Sequence, residues 1–302
     1  MDGIINIYKE KGYTSHDVVA KLRGILKTKK IGHTGTLDPD AEGVLPVCIG
    51  RATKVCDLIM EKNKTYRTVM ILGKSTDTQD VSGNIIAQKD IPASLGEGRI
   101  REVIMGFQGE YMQIPPMYSA IKVGGKKLYE LARQGIEVER KARLVNIYNI
   151  NIEKIELPRI TMTVECSKGT YIRTLCHDIG SRLLTGGCME ELKRLKSGIF
   201  CVEDSVKISD VEKMAKENTV SQILMPADGL FSDYDSCTVS KDYNNLIYNG
   251  NKFTPENILE QISGEHTENF RVYDENGNFI GIYCYDDIEQ VFTPVKMFLI
   301  GC

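Results

Sequence analysis

The chain has no apolar run long enough to span a membrane, no internal repeat and no low-complexity segment. Its opening residues, MDGIINIYKEKGY, carry an acid at position 2 and a short apolar run broken by Tyr8 and Lys9, which is not the arrangement of an export signal. Cysteine occurs nine times but never in a closely spaced pair of the kind a structural zinc site uses, and His16, His33, His177 and His266 are equally dispersed. A cytosolic protein with reduced, mostly buried thiols and no metal is expected. A phosphate-binding nucleotide loop is excluded as well. Gly73, Lys74 and Ser75 would fit its end, but the glycine needed five residues earlier is Thr68.

With 302 residues, 42% hydrophobic and 26% charged, the chain has the composition of a globular protein with one large core and a second, smaller domain. The net charge of −3 conceals an uneven distribution. Residues 231–302 hold 4 Lys or Arg against 12 Asp or Glu, which leaves 34 against 29 for residues 1–230. The body is therefore basic and the tail acidic.

Basic charge in the body is gathered into patches. Residues 14–27 predict a helix capped by Thr14 or Ser15, with Val18, Val19, Leu22, Ile25 and Leu26 on one face and Lys21, Arg23 and Lys27 on the other, followed by Lys29 and Lys30. Residues 115–145 carry Lys122, Lys126, Lys127, Arg133, Arg140, Lys141 and Arg143 against three glutamates, with Tyr118 and Tyr129 interleaved. Cations take phosphates and aromatic rings take unstacked bases, so the pattern suits a nucleic-acid strand; an exposed amphipathic hairpin would produce it too. Lys193, Arg194 and Lys196 form a third patch.

Helical patterns fall at 52–60, 98–107 and 205–217, and strand patterns at 65–72, 145–155 and 160–167. After residue 167, Tyr171 and Arg173 either continue the strand on one side or open a helix. From about Phe231 the segments shorten, and Asn249-Gly250-Asn251 and Asn276-Gly277-Asn278 predict hairpin turns.

Residues 32–46, GHTGTLDPDAEGVLP, fit neither an ordinary helix nor an ordinary strand. Gly32, Gly35 and Gly43 loosen the backbone, while Pro39 fixes its own φ and pushes Asp38 out of helical geometry. A shaped loop pinned by Ile31, Val44, Leu45 and Val47 is expected, carrying Asp38, Asp40 and Glu42 beside His33. Asp38 is then either a turn former or a carboxylate held out to a ligand.

The same loop closely resembles the catalytic loop of the TruB family of pseudouridine synthases, with the family's aspartate at Asp38. The resemblance runs from about residue 3 to residue 230. It continues in KTYRTVMILGKSTDTQDVSG, with a tyrosine at Tyr66; in QIPPMYSAIKVGGKKLYELARQGIEVERKAR, similar to an RNA-gripping insertion; and in SKGTYIRTLCHDIG, with Tyr171 and Arg173. One departure stands near the amino end, where the family's Lys-Pro is Lys9-Glu10. The resemblance implies an α+β fold: a large mixed, mainly antiparallel sheet flanked by helices. It further implies a catalytic domain at 1–230 with an RNA-binding insertion at 115–145, and a small PUA-like β domain at 231–302.

It also implies conversion of uridine 55 in the T-arm of tRNA to pseudouridine, by base flipping, without cofactor, guide RNA or partner protein, by a monomer. In that scheme Asp38 is the catalytic carboxylate, Tyr66 stacks on the flipped base and aids proton transfer, Arg173 pairs with Asp38, and Tyr171 walls the pocket. Leu192 contacts the base, Arg194 belongs to the substrate-binding patch, and His33 holds the rearranged T-loop. Lys64, Lys126 and Lys127 complete the substrate-binding set. Asp38 should be ionised at neutral pH, with Arg173 pushing its pKa further down. Two other classes use parts of the same pattern: a non-catalytic RNA-folding protein needs the basic patches but not Asp38, and a carboxylate nucleoside hydrolase needs Asp38 but not the insertion.

Overall fold

A computed structural model describes residues 1–261 and 265–298; Cys302, expected to be reduced, lies outside the described residues. In chain order the body runs β1 (Gly3–Lys9), α1 (Ser15–Ile25), β2 (Ile31–His33), β3 (Glu42–Ile49), α2 (Cys56–Met60) and β4 (Lys64–Leu72). It continues with β5 (Lys74–Thr76), β6 (Ile85–Gln88), α3 (Glu97–Met105), β7 (Gly109–Gln113), β8 (Lys122–Val123), β9 (Lys126–Lys127) and α4 (Leu128–Arg133). Then come β10 (Arg143–Glu156), β11 (Arg159–Cys166), α5 (Ile172–Arg182), β12 (Gly187–Ser197), β13 (Phe200–Cys201) and α6 (Ile208–Lys216). The tail holds β14 (Asp235–Val239), α7 (Asn244–Tyr248), β15 (Asn269–Asp274), β16 (Phe279–Asp286) and β17 (Val291–Met297).

Nine body strands form one sheet in the order β1-β3-β12-β4-β11-β10-β7, with β2 beside β3 and β13 beside β12. All its pairings are antiparallel except β3 with β12, so the sheet is mixed and mainly antiparallel, as expected. That single parallel contact spans only Glu42↔Lys193 and Gly43↔Arg194. It is a seam between two antiparallel halves, and the Asp38 loop runs directly into it.

The apolar pattern explains what covers each half. Thr14 caps α1, its hydroxyl accepting from the Asp17 amide while Asp17 takes the Thr14 amide in return. The helix then lays Val18, Val19 and Leu22 against Ile5, Ile7, Leu45 and Val47, with Val211 of α6 in the same core. In the other half α3 and α5 bury Ile100, Ile104, Leu175 and Ile179 against Ile147, Ile150, Met162 and Val164. The insertion between β7 and β10 carries its own small core of Met117, Leu128 and Leu131, with β8 and β9 joined through Gly124-Gly125.

The tail forms a four-stranded sheet, β14-β15-β16-β17, and its Ile282 and Phe298 share a core with Ile4, Val44, Ala52 and Val55 of the body. Of its two predicted hairpin turns, Asn276-Gly277 does join β15 to β16, with the buried Asp274 carboxylate accepting the Asn276 and Asn278 amides. The other is corrected. Asn249-Gly250 ends α7, where glycine at φ +68° supplies the left-handed residue that closes a helix. The reading of 32–46 as one loop is also narrowed, because β2 reaches His33 and β3 starts at Glu42.

Gly43 shows why a strand can begin inside that stretch. It sits at φ +106°, and a Cβ there would lie 2.2 Å from the Arg194 carbonyl oxygen. The backbones meet too closely at the seam for any side chain. Gly43→Ala is expected to destabilise the fold by about 3 kcal/mol or more, read as a lowered urea midpoint with an unchanged m-value.

Candidate active site

Arg173 lies in the first turn of α5, so the helical reading of Tyr171 onward holds and the strand reading does not. The helix points the guanidinium back past its own N-terminus, where it is nearly sealed from solvent at 6% side-chain exposure. Its Nε is 3.0 Å from Asp38 Oδ2 and its NH2 3.3 Å from Asp38 Oδ1, a two-pronged pairing. The remaining donors reach the Tyr118 carbonyl at 2.8 Å, the Thr78 carbonyl at 3.2 Å and Asp80 Oδ2 at 3.5 Å. One cation therefore holds the Asp38 loop, the segment after β5 and the insertion.

Asp80 carries no sign of this role in the sequence, where it looks like one more turn residue. Its second oxygen accepts from the Ser82 amide and hydroxyl and the Thr78 hydroxyl, which leaves Oδ2 free for Arg173. The segment is anchored by Thr174 of α5 to Gln79 at 2.7 Å and by Val81 to the Met189 carbonyl at 2.9 Å.

The Asp38 loop is held from beneath by a second buried cation. Lys9, fully buried at the end of β1, donates from Nζ to the carbonyls of Ala41 at 2.5 Å, Pro39 at 3.0 Å and Glu10 at 3.3 Å. The departure at Glu10 leaves this lysine in place. Burial pulls the Lys9 ammonium down to about 8, with Asp38 and Asp40 opposing. Ser15, next to the cap of α1, takes the Leu37 amide at 2.9 Å, and the Gly12 amide meets the Pro39 carbonyl at 3.0 Å. These bonds are what make irregular backbone tolerable here.

Asp38 itself keeps 36% side-chain exposure. Burial raises its pKa from the ordinary value of 3.8 and Asp80 and Asp40 add to the rise, while Arg173 and Lys9 lower it. Arg173 does push the pKa down, as expected, but the net shift is upward, because the arginine opposes a larger cost of taking the carboxylate out of water.

Tyr66 and Tyr171 stand close enough to Asp38 for its charge to raise both phenols, although burial is the larger cause in each. The Tyr66 hydroxyl hydrogen-bonds Arg194, and its ring packs in the core that contains Leu192. Asp38, Tyr66, Tyr171 and Arg173 thus converge. Arg194 is not part of an exposed patch. It is 1% exposed, donating from Nε to the Val44 carbonyl at 2.6 Å across the seam and from NH2 to the Gly35 carbonyl at 3.4 Å. His33, half-buried, has its pKa lowered by burial and by Arg194.

Lys64 likewise turns inward. It is buried and donates to the Met60 and Lys62 carbonyls, and burial brings it to about 8, so no free ammonium is presented to a phosphate. Lys126 is exposed on the insertion hairpin; Lys127 is half-buried with its ammonium near the Tyr129 ring. Lys21, Arg23, Lys27, Lys29 and Lys30 are all exposed. A cleft on the sheet face away from Tyr66, lined by Arg67, Arg159 and Glu190, closes its charges on one another through Arg67–Glu153 and Arg159–Glu190. Among the described residues no three His, Cys, Asp or Glu side chains gather as metal ligands would.

This mixed sheet flanked by helices is the fold of a pseudouridine synthase. Residues 23–172 match the model of the TruB family pseudouridylate synthase N-terminal domain, and residues 173–232 that of the tRNA pseudouridylate synthase B C-terminal domain. The chain belongs to the TruB family. It is 51% identical to the tRNA pseudouridine synthase B of Lachnoclostridium phytofermentans over 99% of this chain and 100% of that one. It is 46% identical to that of Clostridium acetobutylicum over 93% and 95%. Among solved structures, a chain of a Cbf5-Nop10-Gar1 complex aligns with a TM-score of 0.71 at 26% identity, over 98% of this chain and 85% of that one.

The raised pKa of Asp38 carries a sign. Between 3.8 and its raised value the folded protein holds a proton that the unfolded chain has lost, so ionisation of Asp38 subtracts from stability as pH rises through that window. Above the window the cost is complete. Asp38→Asn is therefore expected to melt no lower than wild type at pH 7, and the acid limb of the wild-type rate profile to lie above pH 3.8. A clear fall in melting temperature would mean that the pairing with Arg173 outweighs burial.

Proposed function

We propose that this chain isomerises uridine 55 in the T-arm of tRNA to pseudouridine, with Asp38 as the essential carboxylate. The observation that carries the reading is the partly exposed Asp38 anion, fixed by Arg173 beside the Tyr66 phenol. In the reaction the bond from ribose carbon 1′ to uracil nitrogen 1 breaks, the ring turns, and carbon 1′ bonds to carbon 5. Carbon 5 loses its proton to solvent and nitrogen 1 gains one. No redox partner or group donor enters. Asp38 serves as a nucleophile at the sugar or as a base generating a glycal, and both routes need the anion.

The base must leave its stack, at a cost of a few kcal/mol. Stacking on the Tyr66 ring returns roughly 1–3 kcal/mol. Burial keeps the Tyr66 phenol protonated at neutral pH, so its hydroxyl takes part in the carbon 5 proton transfer through hydrogen bonding. Tyr171 forms the pocket wall, Leu192 meets the base from the core below Tyr66, and His33 faces the rearranged loop nucleotide. The exposed lysines and Arg23 around α1, with Lys126 and Lys127, take the phosphates. Residues 1–230 form the catalytic domain, with an RNA-binding insertion at 115–145, and residues 231–302 a small PUA-like domain.

The protein works alone and without cofactor, in keeping with its match to full-length tRNA pseudouridine synthase B chains. Its eight described cysteines are free thiols, which suits a reducing cytoplasm.

Tritium release from carbon-5-labelled tRNA transcript tests the reaction. Wild type is expected to release the label stoichiometrically from one uridine, and Asp38→Asn to release none. Equal release from both sinks the proposal, as does none from either, and free uracil among the products would mark a hydrolase instead. The phosphate contacts predict a second outcome: affinity for the transcript falls at least about tenfold between 50 and 200 mM salt, despite the net charge of −3.

A further inference from the structure

Gln113 is the last residue of β7, directly before the insertion, and only 1% exposed. Its side-chain amide is directed mainly at the backbone N–H and C=O of one residue of another segment. Oε1 accepts the Tyr171 amide at 2.8 Å and Nε2 donates to the Tyr171 carbonyl at 3.0 Å, while Nε2 also meets the Tyr111 hydroxyl. Only one orientation of the amide satisfies an N–H and a C=O together, so the oxygen and nitrogen are fixed by their partners. Tyr171 is the N-cap residue of α5 and has no side-chain cap of its own. Gln113 therefore pairs one of the donors at the helix start that has no intrahelical partner, the Tyr171 amide, and adds a second donor to the Tyr171 carbonyl, which already accepts the Leu175 amide.

Two residues further on stands Arg173, whose guanidinium sets Asp38. The root of the insertion touches the same turn once more: the Tyr118 carbonyl accepts from Arg173 at 2.8 Å. Tyr111 secures the other side, its ring edge-on to Phe107 at 5.4 Å.

We propose that Gln113 is a positioning residue for the reaction: by clasping the Tyr171 peptide it fixes the start of α5 and hence the placement of Arg173 on Asp38. The inference rests on the proposed role of that pair. Without the clasp the first turn of α5 can pivot, and a small rotation there moves the far end of the long Arg173 side chain by much more. The loss then falls on the chemical step, since Gln113 is buried and presents nothing to RNA.

The test uses Gln113→Met, which keeps volume but makes neither bond, and Gln113→Glu, which can accept the Tyr171 amide but, as an anion, cannot donate to its carbonyl. Single-turnover tritium release at saturating transcript is expected to fall about 30-fold for Gln113→Met, the effect of two lost orienting hydrogen bonds. Gln113→Glu should lie between it and wild type. Transcript Kd should stay within about threefold, since no phosphate contact is removed. The acid limb should move to higher pH. Asp38 faces Arg173 from α5, Lys9 from β1, Asp80 from the segment after β5, Asp40 from its own loop and the phenols of Tyr66 and Tyr171, and of these Arg173 is the one displaced. A purely structural role would lower the melting temperature and leave that limb where it is.

Unchanged single-turnover rates, or a loss explained by weaker binding or by the unfolded fraction with an unmoved acid limb, overturn the proposal. If Gln113→Met does not fold, Gln113→Glu decides by the same rate and pH readouts. Inactive wild type would instead defeat the parent reading, so the two failures are separable.

Discussion

Arg173 brings one buried positive charge against two carboxylates and two carbonyls, drawn from three separate segments. Removing water from such a group is costly unless every donor is used, and here the surroundings use them. The arrangement is asymmetric. Asp80 is tied down by its own turn, whereas Asp38 retains access to solvent and can exchange some of its pairing for a substrate. Burial makes the Asp38 anion less comfortable than in water, so the site holds a carboxylate that is charged, oriented and incompletely solvated. Those are the properties that a reaction at a sugar carbon draws on.

The loop bearing Asp38 depends on a second principle, the satisfaction of irregular backbone by buried cations. Lys9 takes three carbonyls and Arg194 two more, one on each side of the parallel seam. Neither side chain reaches solvent. Gly43 lets the strands close over this frame, and Arg194 carries the connection onward to the Tyr66 hydroxyl. The Asp38 loop and the strands at the seam are thus fixed to one another through buried side chains that take backbone carbonyls.

Charge is divided according to the work of each part. Lys21, Arg23, Lys27, Lys29, Lys30 and Lys126 are exposed on or just after α1 and on the insertion, while the acidic tail packs Ile282 and Phe298 behind β1 and β3. The core that tail and body share is apolar, and the Tyr273 hydroxyl adds a hydrogen bond to Asp228 of the body at 2.7 Å. The boundary between the two family domain matches, at 172/173, falls inside the first turn of α5, where the chain is continuous and Arg173 sits.

Much of this was legible locally. The α1 capping box, the alternation in β4 and β11 and the GHTGTLDPDAEGVLP loop are short-range patterns, and the family motifs pointed to Asp38, Tyr66, Tyr171 and Arg173, which the fold brings together. Other residues gave no such signal. Asp80 resembles any turn aspartate, Gln113 any polar strand end, and Lys9 any surface lysine, because what makes each of them matter is a partner on a different segment. Lys64 and Arg194, both expected to bind substrate, are buried instead, because a basic residue in a sequence does not say which way it points. The sequence by itself determined which groups are available and how each short segment folds, since those depend on neighbours within a few residues. Only the tertiary structure decided which cations are buried, which peptide Gln113 clasps and in which direction the Asp38 pKa moves. Those outcomes turn on how much water distant parts of the chain jointly exclude.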